Sequence, residues 1–259
     1  MPTERLTGPG LDWAPSAGVT RLQRWRVAHA EVFRLLRADP RINTECRGQV
    51  CLHNGMYGTP DGEIYAAMIL DLAPRHIVEI GAGFSTLIAR LAVDTLPHGC
   101  RLTVIDPEPR IDVAGAADAV VRGRVEDGAL EPFLDQEGLL LFIDSSHIAR
   151  FGGDVTYLYT SALPRLRDGT AVQIHDIFLP WDYPSEYRRR LYTEQYLVQT
   201  LLAQNARYQI LFATHWMSRE RPREMQATFG EVVGQAALFY GASLWLQVRA
   251  GGARGSDVR

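Results

Sequence analysis

Residues His76–Thr86 read His-Ile-Val-Glu-Ile-Gly-Ala-Gly-Phe-Ser-Thr, and this stretch decides the fold. Its first five residues form a short apolar run of the kind that makes a buried strand, bounded by a proline and a glycine. The two glycines let the backbone turn tightly and approach a ligand closely. The serine or the threonine can then cap a helix. The pattern predicts a strand, a glycine turn and a helix, which together form a nucleotide-type binding site.

The spacing of the glycine turn narrows the choice of nucleotide. The dinucleotide fingerprint needs a third glycine five residues after the first, where this chain has Thr86. A Gly-Lys-Ser/Thr phosphate loop is excluded because the chain contains no lysine. The form Glu-x-Gly-x-Gly instead resembles motif I of class I S-adenosylmethionine-dependent methyltransferases, and a ligand-free structural turn is the alternative. That resemblance implies that the loop holds the cofactor through Glu79, Gly81, Ala82, Gly83 and Ser85.

Further strand candidates alternate with helical patterns along the chain. The strand candidates are Arg101–Asp106, Val120–Val125, Leu139–Asp144, Gly169–Asp176, Ile210–Ala213 and Ser243–Leu246. A helical pattern with apolar residues three and four apart runs from Val155 to Leu166. Such alternation predicts an α/β fold with a mostly parallel sheet. With the resemblance, the expected architecture is a Rossmann-like seven-stranded methyltransferase fold with helices on both faces.

Acidic residues and a histidine follow the ends of the predicted strands. Ligands of parallel sheets bind outside these carboxyl ends, so the groups should line one cleft. Asp106 lies 25 residues after the first glycine, where a nucleotide-binding fold places the carboxylate for the ribose hydroxyls. Glu126 and Asp127 are expected near the adenine, and Asp144 near the cofactor as well.

The segments Asp144-Ser-Ser-His147 and His175-Asp176 resemble the site of metal-dependent O-methyltransferases. In the catechol-type family an Asp after one strand and an Asp-Asn pair after the next bind the metal, and a lysine three residues after the first Asp is the base. The Asp-x-x-His spacing is similar to that of macrocin-type sugar O-methyltransferases, where histidine is the base. The resemblance implies His147 and His175 as catalytic residues, and Asp144, His175 and Asp176 as metal ligands.

A wider resemblance runs from about Asp61 to Val248. It is to a bacterial methyltransferase group that carries Ile-Asp-Ser-Ser-His, Pro-Arg-Leu and His-Asp-Ile-Phe-Leu-Pro, and it includes Glu194-Gln195-Tyr196. The substrate does not transfer with this resemblance.

His175 departs from the family pattern because it replaces a carboxylate. Magnesium prefers oxygen ligands, whereas manganese, iron or zinc accept imidazole. Each histidine has an alternative role. His175 could hydrogen-bond the loop backbone, and His147 could start a helix and bond a backbone carbonyl. Without a lysine, histidine is the natural general base, since its pKa lies near neutrality.

Segments outside the predicted sheet leave several alternatives open. A loose arm at 1–18, rich in proline and glycine, precedes a helical pattern at 20–38. The loop Pro180–Pro184 is either a wall of the substrate pocket or a connector that anchors its tryptophan. Ser185–Asn205 is predicted to be one helix whose three arginines form a solvated face rather than an acidic-substrate site. His215 could line the cleft.

Length and composition fit one large core. The chain has 259 residues, 46% of them apolar, and we divide it into an arm and helix at 1–45, a methyltransferase domain at 46–250 and a flexible tail at 251–259. No apolar run is long enough to span a bilayer and no signal peptide is visible. Cys46, Cys51 and Cys100 are too few for a disulfide framework. These features predict a cytoplasmic protein, and a net charge of −3 predicts no nucleic-acid partner.

The expected function is methyl transfer from S-adenosylmethionine to a hydroxyl of a small molecule, assisted by a divalent Mg, Mn or Fe ion. The partners would be the small-molecule acceptor and, as an open case, a second copy of the chain in a homo-oligomer; no membrane is expected. One alternative is a non-haem iron oxygenase, because two histidines and a carboxylate form its ligand set. The other is a non-catalytic cofactor-binding subunit.

Overall fold

The computed structural model describes residues 11–44, 52–230 and 241–250. The predictions for Cys46, Cys51 and the tail at 251–259 lie outside these residues. The strands are β1 (His76–Ile80), β2 (Arg101–Ile105), β3 (Ala119–Val121), β4 (Leu139–Ile143), β5 (Ala171–Ile174), β6 (Tyr208–Ala213) and β7 (Leu244–Val248). The helices are α1 (Pro15–Ala28), α2 (Ala30–Ala38), α3 (Asp61–Leu72), α4 (Phe84–Val93), α5 (Asp154–Tyr157), α6 (Glu194–Gln204), α7 (Thr214–Glu220) and α8 (Pro222–Phe229).

The strands form one seven-stranded sheet in the order β3-β2-β1-β4-β5-β7-β6. The neighbours from β3 to β5 pair in parallel, and β7 pairs antiparallel with both β5 and β6. The Rossmann-like, mostly parallel sheet that the alternation predicts is therefore confirmed.

The central strands are apolar and almost wholly buried, as strands covered on both faces must be. Every residue of β4 is buried, and in β1 only His76 is partly exposed. Trp25 of α1 and Trp245 of β7 are among the largest side chains of the same core. The N-terminal helices thus pack on the sheet domain, while the proposed division at residue 45 stays a prediction.

The N-terminal segment differs from the sequence prediction in two ways. The expected single helix over 20–38 is divided at His29, and α1 already begins at Pro15, inside the expected loose arm. His29 leaves the helical conformation at the division, with φ −115° and ψ 12°. Its Nε2 lies 3.1 Å from the Asp71 carboxylate, which also accepts a hydrogen bond from Trp25 at 2.7 Å. Proline at a first helical position favours the earlier start.

Three other boundaries also differ. The strand expected over Val120–Val125 ends at Val121, and a short 3-10 turn follows at Val125–Asp127. The pattern from Val155 to Leu166 is not one regular α-helix, because α5 continues as a π-turn and then a 3-10 turn. Ser185–Asn205 is not one helix either: a 3-10 turn at Ser185–Arg189 precedes α6.

The strand order reverses between β1 and β4, since β1 lies between β2 and β4 in the sheet. Such a switch point opens a crevice at the carboxyl ends of the strands, where ligands of open α/β sheets bind. The glycine turn follows β1 and Asp144 follows β4, so both lie at this crevice. No helix in the described part of the chain is long and apolar enough to cross a membrane.

Candidate active site

Gly81 brings the glycine turn against the end of β4. Its φ of 89° lies in the left-handed region that favours glycine. A Cβ at this position would stand 2.3 Å from the backbone oxygen of Asp144. Only glycine therefore allows this approach, and the turn is fixed directly beside Asp144.

Gly83 has a different reason to be glycine. Its backbone is extended, with φ at 179°, so any residue could adopt it. A Cβ here would meet nothing within 4 Å. The open space above Gly83 is a cradle that a side chain would fill, as a loop passing under a cofactor requires.

Two carboxylates hold the turn in place. Asp106 accepts the backbone N–H of Ala82 at 2.8 Å and that of Glu108 at 2.7 Å. Glu79, fully buried beneath the turn, accepts hydrogen bonds from the Tyr65 hydroxyl at 2.9 Å and from the Thr86 hydroxyl at 2.5 Å. Burial raises the pKa of Glu79 to about 7. Both carboxylates thus shape the cradle, and their contact with the cofactor itself stays a prediction.

The remaining predicted cofactor residues lie around this cradle. Ser85 is buried in the first turn of α4. Glu126 is partly exposed and Asp127 is exposed, in the 3-10 turn after β3. Their expected proximity to the adenine stays a prediction.

Asp144 and His147 meet after β4, as the spacing predicts. Nε2 of His147 lies 3.1 Å from Oδ1 of Asp144 and 3.6 Å from Oδ2 of Asp176. The His147 side chain is buried, whereas 38% of the Asp144 side chain is exposed. A ligand entering the crevice therefore meets Asp144 first, with Nε2 of His147 behind it.

His175 and Asp176 join the same cluster from the end of β5. Nδ1 of His175 lies 3.4 Å from Oδ1 of Asp144, and its Nε2 lies 3.6 Å from Oδ2 of Asp61. Asp176 accepts a hydrogen bond from the Tyr187 hydroxyl at 3.0 Å. Both ring nitrogens of His175 face carboxylates, so its side chain is not placed as a hydrogen-bonding partner of the loop backbone, the alternative considered for it.

Charge sets the protonation of this cluster. Burial lowers the pKa of His147, but its bonds with Asp144 and Glu194 outweigh this and hold the pKa well above the usual value. Burial likewise lowers the pKa of His175, and Asp176 and Asp144 raise it well above normal. Burial raises the pKa of Asp144, and the two imidazoles overcome this and hold it well below its usual range.

The sequence analysis missed two carboxylates of this site. Oε2 of Glu194, in the first turn of α6, lies 2.8 Å from Nδ1 of His147. Asp61, at the start of α3, accepts the backbone N–H groups of Ala242 and Ser243 as well as facing His175. Glu194 stood in a recognised motif, but nothing in the sequence gave it this partner.

The predicted metal ligands contact one another through their side chains: Nδ1 of His175 lies 3.4 Å from Oδ1 of Asp144. Among the residues that the structure describes, no three His, Cys, Asp or Glu side chains are placed to hold a metal ion. All four ring nitrogens of His147 and His175 face carboxylate oxygens. In this arrangement the donor set does not fit a metal centre, and the metal role of Asp144, His175 and Asp176 stays a prediction.

Aromatic residues line the side of the cluster towards α6. The Tyr192 ring lies 4.6 Å from that of His147, and the Tyr187 ring 5.4 Å from that of Tyr192. The Arg190 guanidinium stacks 4.3 Å from the centre of the Tyr187 ring. Arg190 therefore contacts the aromatic wall formed by Tyr187 and Tyr192, and it is exposed like Arg188 and Arg189, as the sequence predicts.

His215 packs against both Trp181 and Phe178. Trp181 is buried, with its ring 5.5 Å from that of His215. Nδ1 of His215 lies 3.2 Å from the backbone oxygen of Gly241, and burial lowers the pKa of this histidine to about 4. The burial of Trp181 favours the anchoring role for its loop.

Comparison with known proteins agrees with this geometry. Residues 78–177 match a family described as a methyltransferase domain. No curated protein matches the chain. A solved protein from Klebsiella pneumoniae described as an O-methyltransferase is 17% identical, with a TM-score of 0.52 over 88% of this chain and 99% of that one. The O-methyltransferase TomG from Streptomyces achromogenes is 20% identical, with a TM-score of 0.48 over 89% and 90%.

The matched segment contains the end of β1, the glycine turn, Asp106, the Asp144–His147 pair and the His175-Asp176 pair. Residues 78–177 therefore match a methyltransferase domain, within a fold that the chain shares with the solved Klebsiella pneumoniae protein.

Proposed function

We propose that this protein transfers a methyl group from S-adenosylmethionine to a hydroxyl oxygen of a small molecule, with His147 as the general base. One observation carries the proposal: the glycine turn touches the backbone of Asp144. The cradle for the cofactor and the cluster of proton-accepting groups are therefore neighbouring parts of one crevice.

The residues of the glycine turn would bind and orient the cofactor. Gly83 leaves room for its amino-acid end, and Asp106 has further lone pairs for the ribose hydroxyls. When bound, S-adenosylmethionine supplies a methyl group on a sulfonium, which an oxygen nucleophile attacks in line. Holding donor and acceptor in this geometry supplies a large part of such a rate enhancement.

His147 would remove the acceptor's proton. The acceptor hydroxyl enters across the partly exposed Asp144 and reaches Nε2 of His147 between Asp144 and Asp176. Nε2 would take the hydroxyl proton and leave the oxygen able to attack the methyl group, whose bond to sulfur would break. A positioned base of this kind contributes about 10²–10⁴-fold to a rate.

The aromatic wall supports a small-molecule acceptor. The ring of Tyr192 packs on that of His147, Tyr187 packs on Tyr192, and the Arg190 guanidinium stacks on Tyr187. Small-molecule pockets combine apolar surface of this kind with a few polar groups. No specific observation favours the iron oxygenase or the non-catalytic subunit over methyl transfer.

The direct test is a methyl-transfer assay. Purified protein is incubated with S-adenosylmethionine carrying a labelled methyl group and a panel of hydroxylated, amino and thiol acceptors. The proposal predicts label on oxygen. Label on nitrogen or sulfur alone would contradict the acceptor class, and binding of cofactor without transfer across the panel would favour the non-catalytic alternative.

Metal dependence is tested on the acceptor that this assay identifies. Because the cluster pairs its histidines with carboxylates, we expect turnover to persist after dialysis against EDTA. Loss of turnover that Mg²⁺ or Mn²⁺ restores would contradict this expectation. It would also make Asp144, His175 and Asp176 ligands, as the resemblance implies.

A further inference from the structure

Glu194 is a fully buried carboxylate whose two oxygens are both occupied. Oε2 lies 2.8 Å from Nδ1 of His147, and Oε1 accepts the hydroxyl hydrogen of Tyr159 at 3.0 Å. A buried carboxylate is costly unless it is paired and hydrogen-bonded. Glu194 is therefore held by Tyr159 in a position that serves His147.

The backbone of His147 is attached to the same helix end. Its carbonyl oxygen accepts hydrogen bonds from the N–H groups of Thr193 at 2.8 Å and Glu194 at 3.1 Å. These N–H groups lie at the start of α6, where backbone donors have no acceptor within the helix itself. His147 itself has a φ of 60°, an uncommon conformation for a residue other than glycine. The start of α6 thus fixes both the backbone and the ring of His147.

We propose that Glu194 is the positioning residue of His147, an inference that rests on the proposed base role. Glu194 approaches Nδ1 to 2.8 Å, closer than the 3.1 Å between Asp144 and Nε2. By accepting the Nδ1 hydrogen it favours the neutral tautomer whose lone pair is on Nε2. When the O–H bond of the acceptor breaks, its proton goes to Nε2 and its electron pair would form the new oxygen–methyl bond. The methyl–sulfur bond of the cofactor would break in the same step and leave its electron pair on sulfur. Glu194 balances the positive charge that the ring gains, while the proton on Nδ1 stays in place.

A merely structural ion pair would have different consequences. It would join the loop after β4 to α6, so its loss would lower stability without changing the tautomer of His147. The variant Glu194→Gln separates the two roles, because an amide has the same size but its nitrogen can donate to Nδ1. Such a bond would move the ring hydrogen to Nε2 and remove the lone pair that the base needs.

The experiment compares the wild type with Glu194→Gln on the acceptor found in the transfer assay. Glu63→Gln is the matched control, because Glu63 is also fully buried and pairs with an arginine and a hydroxyl, those of Arg37 and Thr59. Turnover, cofactor affinity and the nitrogen NMR signals of the His147 ring at alkaline pH are measured for each.

We expect Glu194→Gln to lower kcat by about 100-fold or more, the scale on which a base with the wrong tautomer fails. Cofactor affinity should change less than about 2-fold, and the Nδ1 signal should become that of an unprotonated nitrogen. Glu63→Gln should leave kcat and the His147 signals unchanged.

The inference would be overturned if kcat of Glu194→Gln stays within about 3-fold of the wild-type value and Nδ1 of His147 is still protonated. The role of His147 as the base would not be affected by that result. A wild type that transfers no methyl group would instead contradict the proposed function, and the inference would fail with it. If Glu194→Gln does not fold, Tyr159→Phe decides, because it frees Oε1 and keeps the charge: a several-fold lower kcat supports the inference, and an unchanged kcat overturns it.

Discussion

Each ring nitrogen of His147 faces a carboxylate, and these contacts change the pKa expected for this histidine. From the sequence, its pKa was expected near neutrality. In the structure, burial lowers that pKa, but Asp144 and Glu194 raise it well above the usual value. A base must be neutral to accept a proton. The rate of methyl transfer should therefore rise with pH on the alkaline side of neutrality.

The two glycines of the turn differ in the space around them, and this gives a test of the cradle. Gly83→Val places a side chain where no protein atom lies within 4 Å, on an extended backbone. We expect an unchanged melting temperature and at least about 100-fold weaker cofactor binding, which is about 3 kcal/mol. Calorimetric titration with S-adenosylmethionine measures the affinity.

Gly81→Ala is the contrasting variant. Its Cβ would stand 2.3 Å from the oxygen of Asp144 on a left-handed backbone, so it should lose stability by about 1–3 kcal/mol. Cofactor binding by Gly83→Val with wild-type affinity would remove Gly83 from the site.

At the scale of secondary-structure elements, the start of α6 shows why one boundary was missed. The residues from 185 to 205 have helical composition, but the first N–H groups of the helix are paired with the carbonyl of His147. That partner lies 47 residues from Glu194 in the sequence. A pattern in one segment contains no information about such a distant cap.

Strand β7 depends on a carboxylate of another element. Asp61 of α3 accepts the N–H groups of Ala242 at 2.8 Å and Ser243 at 3.1 Å, just before β7 begins. In Asp61→Asn the side chain keeps one acceptor oxygen and loses its charge. We therefore expect the free energy of unfolding to fall by about 1.5–3 kcal/mol. Denaturant unfolding measures this loss.

Asp112→Asn is the surface control. Asp112 accepts one backbone N–H at 2.8 Å but is exposed, and its substitution should change stability by less than about 0.5 kcal/mol. Equal losses in the two variants would contradict the role of Asp61 in holding β7.

For the whole molecule, two buried groups give the stability opposite dependences on pH. His215 has its pKa lowered by burial to about 4, so its contribution is complete above about pH 6.5 and is lost as pH falls towards 4. Glu79 has its pKa raised by burial to about 7. Its contribution is complete below about pH 4.5 and is lost as pH rises through 7. Between pH 5 and 7 the two contributions nearly cancel.

His215→Phe should remove the His215 contribution to the pH dependence of stability. Relative to the wild type, the free energy of unfolding at pH 5 minus that at pH 7 should increase by about 2 kcal/mol. Any constant cost of the larger ring cancels in this difference. Guanidinium unfolding at the two pH values measures it, with His98→Phe as an exposed control. An unchanged difference would show that His215 is not buried as a neutral ring.

The sequence predicted the parts of the site that follow from strand order. The runs before Gly81, Asp106, Asp144 and His175 are short and mostly apolar, so these residues were expected at one sheet edge, and the structure places them there. Glu194 and Asp61 come from helices, and their approach depends on packing and capping. The protonation of His147 also depends on these distant carboxylates.

The most direct test of the account is the turnover of His147→Asn. The asparagine nitrogen stands where Nδ1 does and can still donate to Glu194, and asparagine tolerates the positive φ of this position. Only Nε2 is lost. We predict a kcat lower by about 10²–10⁴-fold, no alkaline rise in the pH–rate profile, and an unchanged dissociation constant for S-adenosylmethionine. Turnover within a few-fold of the wild type, with the alkaline rise retained, would show that the base is another residue.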